Sequence, residues 1–283
     1  MTETSIKPDL GRFGVWSGPV TPDEAVEMER MGYGAVWARG SPDADLSFVE
    51  PILDASESLQ IATGIVNNWK SPAGRVAQSF HRIEDAYPGR FLLGIGVGHP
   101  EAIDRYRKPF DAIVEYLDEL DAAGVPTARR VVAALGPRVL QLSKDRSAGA
   151  HPYLTTPEHT AEARQEIGPT TFLAPEHKVV LTTDIDHARE IGRQTVGFYL
   201  GLSNYVNNWR RLGFSEADVA KPGSDRLIDS VVASGTPDQI AARLHEHLDA
   251  GADHVAIQVL GDRKALVRTL SELAGPLGLT PAS

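Results

Sequence analysis

Short apolar runs alternate with helical stretches along the whole chain. Eight such runs carry β-branched or aromatic residues, and apolar residues at helical spacing follow most of them. The runs cover residues 12–17, 33–38, 61–66, 90–97, 131–135, 148–153, 172–181 and 254–260. The pattern predicts eight strands, each followed by a helix.

Capping signals mark where several of the helices begin. Residues 21–24 (TPDE) and 236–239 (TPDQ) combine an N-cap threonine, a proline at the first helical position and a capping-box side chain. Ser71-Pro72, Thr156-Pro157 and Asp184 predict three further helix starts. The chain closes with a helix predicted over residues 263–274.

Eight alternating units predict a parallel sheet that is buried on both faces. Such a sheet forms a closed (β/α)8 TIM barrel or an open doubly wound sheet. The chain length matches the barrel, and the first strand–helix turn, residues 17–21, lacks the glycine spacing of the open nucleotide-binding sheet. We expect an α/β TIM barrel that spans residues 1–283 as one domain, with residues 200–232 as an insertion after strand 7.

Composition narrows the function classes. The 283 residues include 28 Lys and Arg against 38 Asp and Glu, a formal net charge of −10, and no cysteine. The missing cysteines exclude disulfides, thiolate metal sites and a cysteine nucleophile, and the acidic balance argues against nucleic-acid binding. The nine histidines lack metal-ligand spacing. Neither a signal peptide nor a transmembrane segment is recognisable, so we expect a cytoplasmic protein that contacts no membrane.

In a barrel, the site lies where the carboxyl ends of the strands converge. That rule selects a set of aromatic, amide, glycine and histidine residues, and three of the four tryptophans belong to it. An aromatic mouth of this kind suits a planar ring. The selected residues are Trp16, Trp37, Arg39, Asn67, Asn68, Trp69, Gly96, Gly98, His99 and His151.

Two glycine-bearing strand ends are candidates for binding a phosphate. Residues 94–98 (GIGVG) precede His99, and Gly149-Ala150 precede His151. Glycine lets backbone amides approach an anion, although the same glycines could simply relieve crowding inside the barrel. The basic residues Arg105, Arg107 and Lys108 follow the first glycine run. His99, His151 and Tyr106 are the candidate proton donors.

Five segments, in the same order, resemble the bacterial luciferase-like flavin and deazaflavin oxidoreductases. They are residues 12–16 (RFGVW), 33–37 (YGAVW), 61–65 (IATGI), 90–98 (RFLLGIGVG) and 251–255 (GADHV). The sequence looks closest to the actinobacterial branch that uses the deazaflavin F420. Residues 199–209 (YLGLSNYVNNW) are typical of one subgroup there.

The resemblance implies a ring-shaped cofactor at the barrel mouth and a non-proline cis peptide at Gly64-Ile65, behind the ring. It places the cofactor phosphate at Gly98 and His99 and at Gly149 and Ala150. Trp37 stands where several relatives have a histidine, so no relative's catalytic acid transfers to this chain. The cofactor-binding residues expected are Trp16, Trp37, Gly64, Ile65, Asn67, Trp69, Gly96, Gly98, His99, Gly149 and Ala150.

The function that follows is hydride transfer between C5 of F420 and a small organic substrate. Tyr205 and Trp209 would close over that substrate, and a homodimer is the default assembly. Three alternatives remain: an FMN-dependent monooxygenase, a non-catalytic flavin- or F420-binding protein, and a metal-dependent barrel enzyme, which the missing ligand constellation disfavours.

Overall fold

The computed structural model describes residues 7–98 and 108–281. Parallel strands alternate with helices through this part of the chain, which confirms the α/β class. The strands are β1 (Phe13–Ser17), β2 (Ala35–Arg39), β3 (Gln60–Gly64), β4 (Val66–Asn67), β5 (Phe91–Gly96), β6 (Arg130–Val132), β7 (Gly149–Ala150), β8 (Phe172–Leu173), β9 (Glu176–Val180), β10 (Val232–Ser234) and β11 (Val255–Val259).

The helices lie between these strands and cover them. They are α1 (Pro22–Arg30), α2 (Val49–Ala55), α3 (Ala73–Ala86), α4 (Pro109–Ala122), α5 (Pro137–Arg146), α6 (Pro157–Ile167), α7 (Ile185–Tyr199), α8 (Ser203–Arg211), α9 (Glu216–Val219), α10 (Asp225–Val231), α11 (Pro237–Asp249) and α12 (Leu266–Ala274). None of the helices within residues 7–98 and 108–281 has the length and apolar character that crossing a membrane requires.

The parallel sheet curls back toward its own beginning. The strands are hydrogen-bonded in the order β10-β9-β11-β1-β2-β3-β5-β6-β7-β8, and β4 also pairs with β5. β8 is the last strand of this order and pairs with β7, and the chain continues directly from it into β9, which pairs with β10 and β11 near the other end. The strand ends consequently face a common mouth, as in a barrel.

Two of the predicted strands are interrupted. A cis peptide at Gly64-Ile65 separates β3 from β4, which confirms the expected cis bond. Ala174-Pro175 separates β8 from β9, and the two halves pair with different neighbours. The sixth run forms only the two residues of β7. The interruption between β8 and β9 changes which strands the chain pairs with, whereas β3 and β4 both pair with β5.

Four of the five predicted helix starts have the side-chain cap that the sequence indicates. Thr21 and Thr236 form capping boxes, and Thr156 and Asp184 accept backbone N–H groups of the first turns. α3 begins beside Ser71-Pro72, but the expectation that Ser71 caps this helix is wrong. Pro72 is the N-cap of α3 without a side-chain cap, and the Ser71 hydroxyl donates instead to the Pro42 carbonyl at 3.3 Å.

Side chains alternate between two apolar layers. The inner layer combines the indoles of Trp16 and Trp37 with small residues such as Ala35 and Ala62. The outer layer packs the opposite faces of the strands against the helices. A separate apolar cluster joins α7 to α8, α9 and α10, and wholly buried Trp209 belongs to it. Residues 200–231 therefore form an ordered helical unit between α7 and β10, and Val232 already belongs to β10.

Candidate active site

Trp16 and Trp37 are direct partners in the register of β1 and β2, and of the two only Trp16 keeps some exposed surface, 8%. Trp37 is wholly buried, and its indole N–H donates to Nε2 of His254 at 3.0 Å. His151 stacks on the Trp37 ring with centroids 4.1 Å apart. The expected place of Trp37 at the mouth is thus corrected: its ring belongs to the packed interior below.

Two buried polar atoms meet at the Gly64-Ile65 junction. A Cβ on Gly64 would lie 2.5 Å from Nε1 of Trp16 and 3.5 Å from Nε2 of His151. Neither nitrogen has a hydrogen-bond partner in the described residues. Buried polar atoms are nearly always paired, so a donor and an acceptor left open beside each other call for an explanation such as a ligand or a water.

His151 is neutral and has a fixed tautomer. Its Nδ1 donates to the Ala174 carbonyl at 2.7 Å, which leaves Nε2 as an acceptor. Burial lowers the pKa of His151 to about 4. A neutral imidazole of this tautomer has no proton on Nε2, so the expected role of His151 as a proton donor is corrected to that of an acceptor.

A polar network of buried and half-buried side chains packs against Trp16. The Tyr153 ring packs on Trp16 with centroids 5.0 Å apart, and the Lys178 ammonium lies 3.8 Å from the centre of that ring. The Tyr153 hydroxyl donates to Gln258 Oε1 at 3.1 Å and accepts from the Tyr199 hydroxyl at 3.2 Å. Aromatic groups therefore do surround the mouth, but tyrosines supply most of them.

An ion pair anchors this network. Lys178 donates to both Glu176 oxygens at 2.9 and 3.0 Å, and neither side chain is exposed. Glu176 also accepts from the Leu154 N–H at 3.0 Å. Burial lowers the pKa of Lys178 to about 8, against the opposing effect of the Glu176 charge. Burial also raises the pKa values of Tyr153 and Tyr199, so both hydroxyls stay protonated at neutral pH.

The sequence of this chain is similar to sequences of known proteins. Residues 20–123 match the family model of the luciferase-like monooxygenases. This part of the chain is therefore similar to the luciferase-like monooxygenases. It is similar to a 5,10-methylenetetrahydromethanopterin reductase of Archaeoglobus fulgidus, with 24% identity over 254 residues, covering 71% of this chain and 76% of the relative. The resemblance inferred from the sequence segments is thereby confirmed.

Solved structures share the fold of this chain. An F420-dependent secondary alcohol dehydrogenase, in complex with an F420-acetone adduct, superposes with a TM-score of 0.73 at 14% identity, covering 96% of this chain and 99% of that chain. The coenzyme F420 dependent tetrahydromethanopterin reductase from Methanopyrus kandleri gives 0.67 at 14% identity, covering 95% and 99%. The oxygenating constituent of 3,6-diketocamphane monooxygenase of Pseudomonas putida, in complex with FMN, gives 0.67 at 14%, covering 96% and 99%.

The glycines of residues 94–98 have different surroundings. A Cβ on Gly94 would come within 1.9 Å of the Thr63 carbonyl oxygen, and one on Gly96 within 3.0 Å of Ala133 Cβ. Both glycines accordingly let neighbouring strands approach. Gly98, at the mouth, has a φ of +62° and lies against the Asn67 amide. Its contact with a phosphate stays a prediction.

Asn67 and Trp69 belong to the loop that follows β4. The Asn67 side chain accepts from the Trp69 N–H at 2.9 Å and so shapes this turn. The Trp69 indole N–H is buried and finds no partner in the described residues. His99, Tyr106, Arg105 and Arg107 lie outside the described residues, and Lys108 immediately precedes α4.

The second phosphate site is not formed. A Cβ on Gly149 would lie 1.8 Å from the Phe172 carbonyl oxygen, and the Gly149 N–H donates to Ser147 Oγ at 3.2 Å. Ala150 is wholly buried among the apolar residues that pack on α6. The expectation for Gly149 and Ala150 is corrected, because strand packing occupies the space that an anion would need.

The sequence analysis did not predict Glu176 and Lys178 as site residues. Glu176 and Lys178 stand two residues apart inside an apolar strand run, a spacing that puts both side chains on one face. Two opposite charges on the buried face of a predicted strand were the available signal. No group of three or more histidine and carboxylate side chains in residues 7–98 and 108–281 could hold a metal ion.

Proposed function

We propose that this chain is an oxidoreductase that transfers a hydride between F420 and a small organic substrate at the mouth formed by Trp16, Gly64 and Tyr153. The observation that carries the proposal is the pair of unpartnered atoms, Trp16 Nε1 and His151 Nε2, at the Gly64-Ile65 junction. The F420-dependent proteins of the same fold support it.

The residues present fit a planar ring with a polar edge. Trp16 Nε1 offers a proton and His151 Nε2 offers a lone pair, so together they complement a group that carries a donor beside an acceptor. Trp16 and Tyr153 add aromatic surface on the same side. Gly98 and His99 are proposed to hold the phosphate, with Asn67 and Gly96 supporting that loop.

The bound cofactor would supply the redox chemistry, and the chain would bind, orient and exclude water. Tyr153 and Tyr199 are proposed as the proton-bearing groups on the substrate side. Their hydroxyls are linked to each other, and Gln258 fixes the direction of the Tyr153 hydrogen bond. Tyr205 is in ring contact with Tyr199, whereas Trp209, also in α8, is wholly buried and donates to the Leu154 carbonyl at 3.3 Å rather than closing over a substrate.

A second candidate keeps the site and changes the cofactor to FMN. Its support is the structural match to an FMN-bound monooxygenase constituent. Such an enzyme would consume oxygen and would need reduced FMN from another protein.

Titration of the purified protein with F420, FMN and FAD, followed by cofactor fluorescence, tests the proposal. Saturable binding of F420, and oxidation of reduced F420 by carbonyl or enone substrates without oxygen, is the expected result. Binding of FMN with oxygen-dependent turnover would favour the second candidate. Binding without turnover on any substrate would indicate a carrier protein, and indifference to all three cofactors would overturn the oxidoreductase assignment.

A further inference from the structure

A cavity of about 420 Å³ lies outside the curled sheet, beside the mouth but separated from it by β1 and β2. Its floor consists of Val36 and Ile61, whose side chains point away from Trp37 into the outer layer. One wall is α2, through Phe48 just before the helix and Ile52 within it. The volume falls in the range of roughly 300–1,000 Å³ that small-molecule pockets have.

The entrance to this cavity is exposed, whereas its floor is buried. Val36, Ile52 and Ile61 are at most 3% exposed. Pro19, Arg39 and Gly40 at the rim are exposed, so the cavity opens to solvent. Contact between the apolar pocket surface and water is unfavourable in free energy. An apolar ligand that covers this surface would remove that contact.

The rim carries one positive charge without a counter-charge. The guanidinium of Arg39 forms no ion pair or hydrogen bond within the described parts of the chain. Arg263 on the neighbouring rim loop donates to the Pro19 carbonyl, but Glu24 neutralises it at 2.7 Å. In a chain with a net charge of −10, an unpaired arginine at a pocket entrance is suited to an anionic group.

The loop that presents Arg39 adopts unusual backbone conformations. Gly40 has a φ of +94° and Ser41 a φ of +53°, so two consecutive residues are left-handed directly after β2. Ser41 carries a Cβ, so the left-handed conformation is sterically unfavourable for it. Conformations of this kind are concentrated at ligand-binding and catalytic sites.

We propose that this cavity binds a small organic carboxylate, with its apolar body between β2, β3 and α2 and its carboxylate at Arg39. The apolar part of the cavity is distinct from the mouth at Trp16 and Gly64, because Val36 and Trp37 occupy opposite faces of the same strand. Arg39 alternates with Val36 along β2 and its charge also acts on Tyr199, so its guanidinium lies at the boundary between the cavity and the mouth.

The test is calorimetric titration of the cofactor-free protein with octanoate, octanol and octylamine. Octanoate is expected to bind with saturation, and octanol roughly tenfold more weakly because it lacks the charge-assisted contact. Equal affinities for the acid and the alcohol would overturn the carboxylate assignment. No saturation by any of the three probes in the low millimolar range would overturn the site itself.

Two variants locate the binding. Arg39→Gln is expected to weaken octanoate roughly tenfold and to leave octanol unchanged within about twofold. Ile52→Phe, which fills the cavity, is expected to abolish binding of both. Arg75→Gln, on the exposed face of α3, is the matched charge control. Circular dichroism verifies that each variant folds. Unchanged octanoate affinity in folded Ile52→Phe would place the ligand elsewhere.

Discussion

The Lys178 ammonium donates hydrogen bonds to both oxygens of Glu176, and the two side chains, on one face of β9, have no exposed surface. Removing two charges from water is costly, and their attraction offsets that cost only while both are present. The ammonium of the pair also lies over the Tyr153 ring, 3.8 Å from its centre.

Replacing Lys178 by methionine should destabilise the fold by about 3–5 kcal/mol, because it leaves the Glu176 carboxylate buried without its counter-charge. Urea unfolding followed by circular dichroism measures the change. The double variant Lys178→Met with Glu176→Leu is the control and should recover most of the loss. If the single and double variants were equally unstable, the loss would come from packing rather than from an unpaired charge.

Acid should destabilise the fold through buried histidines. His247 accepts or donates at both ring nitrogens, to Thr160 Oγ1 at 2.8 Å and to His177 Nδ1 at 2.9 Å. Burial lowers the pKa of His247 to about 3 and that of His177 well below its ordinary value. Unfolded histidine takes up its proton near pH 6.5, so below about pH 6.5 the unfolded chain binds more protons. The free energy of unfolding then decreases as the pH falls.

The pH dependence of the free energy of unfolding tests whether His247 contributes to this loss of stability. Between about pH 6 and pH 4.5, each buried neutral histidine should contribute up to roughly 1.4 kcal/mol per pH unit. His247→Gln should remove one such contribution, as measured by urea unfolding at several pH values. Parallel pH dependences for the variant and the wild type would show that His247 does not bind its proton on unfolding.

Gly149→Ala should destabilise the chain by about 3 kcal/mol. The added methyl group would lie 1.8 Å from the Phe172 carbonyl oxygen, so β7 and β8 would have to separate. Gly197→Ala is the matched control, since Gly197 lies in α7 with nothing within 4 Å of the new Cβ. That exchange should stabilise by about 1 kcal/mol through helix propensity. Thermal unfolding compares the two, and equal effects would contradict the close approach at β7.

Gly64→Ala should disturb the proposed cofactor site without a change of charge. The new Cβ would lie 2.5 Å from Trp16 Nε1, so the indole must move. We expect a shift in tryptophan emission and a cofactor affinity lowered by at least about tenfold, equivalent to about 1.4 kcal/mol. Gly197→Ala again serves as the control. A shifted emission with unchanged affinity would place the cofactor away from this junction.

Local signals in the sequence determined much of the architecture. The alternation of apolar runs and helices and the capping boxes at Thr21 and Thr236 predicted the α/β class and a parallel sheet, and five segments predicted the similarity to the luciferase-like monooxygenases. The sheet was expected as a closed barrel of eight strands. These features depend on residues a few positions apart, and such short-range patterns can be recognised in a single sequence. The cis peptide at Gly64-Ile65 was also expected, from the resemblance alone.

Only the tertiary structure decided which side chains occupy the mouth. Tyr153 meets Gln258 across 105 positions of sequence, and Trp37 meets His254 across 217. Nothing in the local pattern distinguishes an interior tryptophan such as Trp37 from one at the rim such as Trp16. The difference arises because the curled sheet fixes how deep each strand position lies, and that depth depends on contacts between residues remote in sequence.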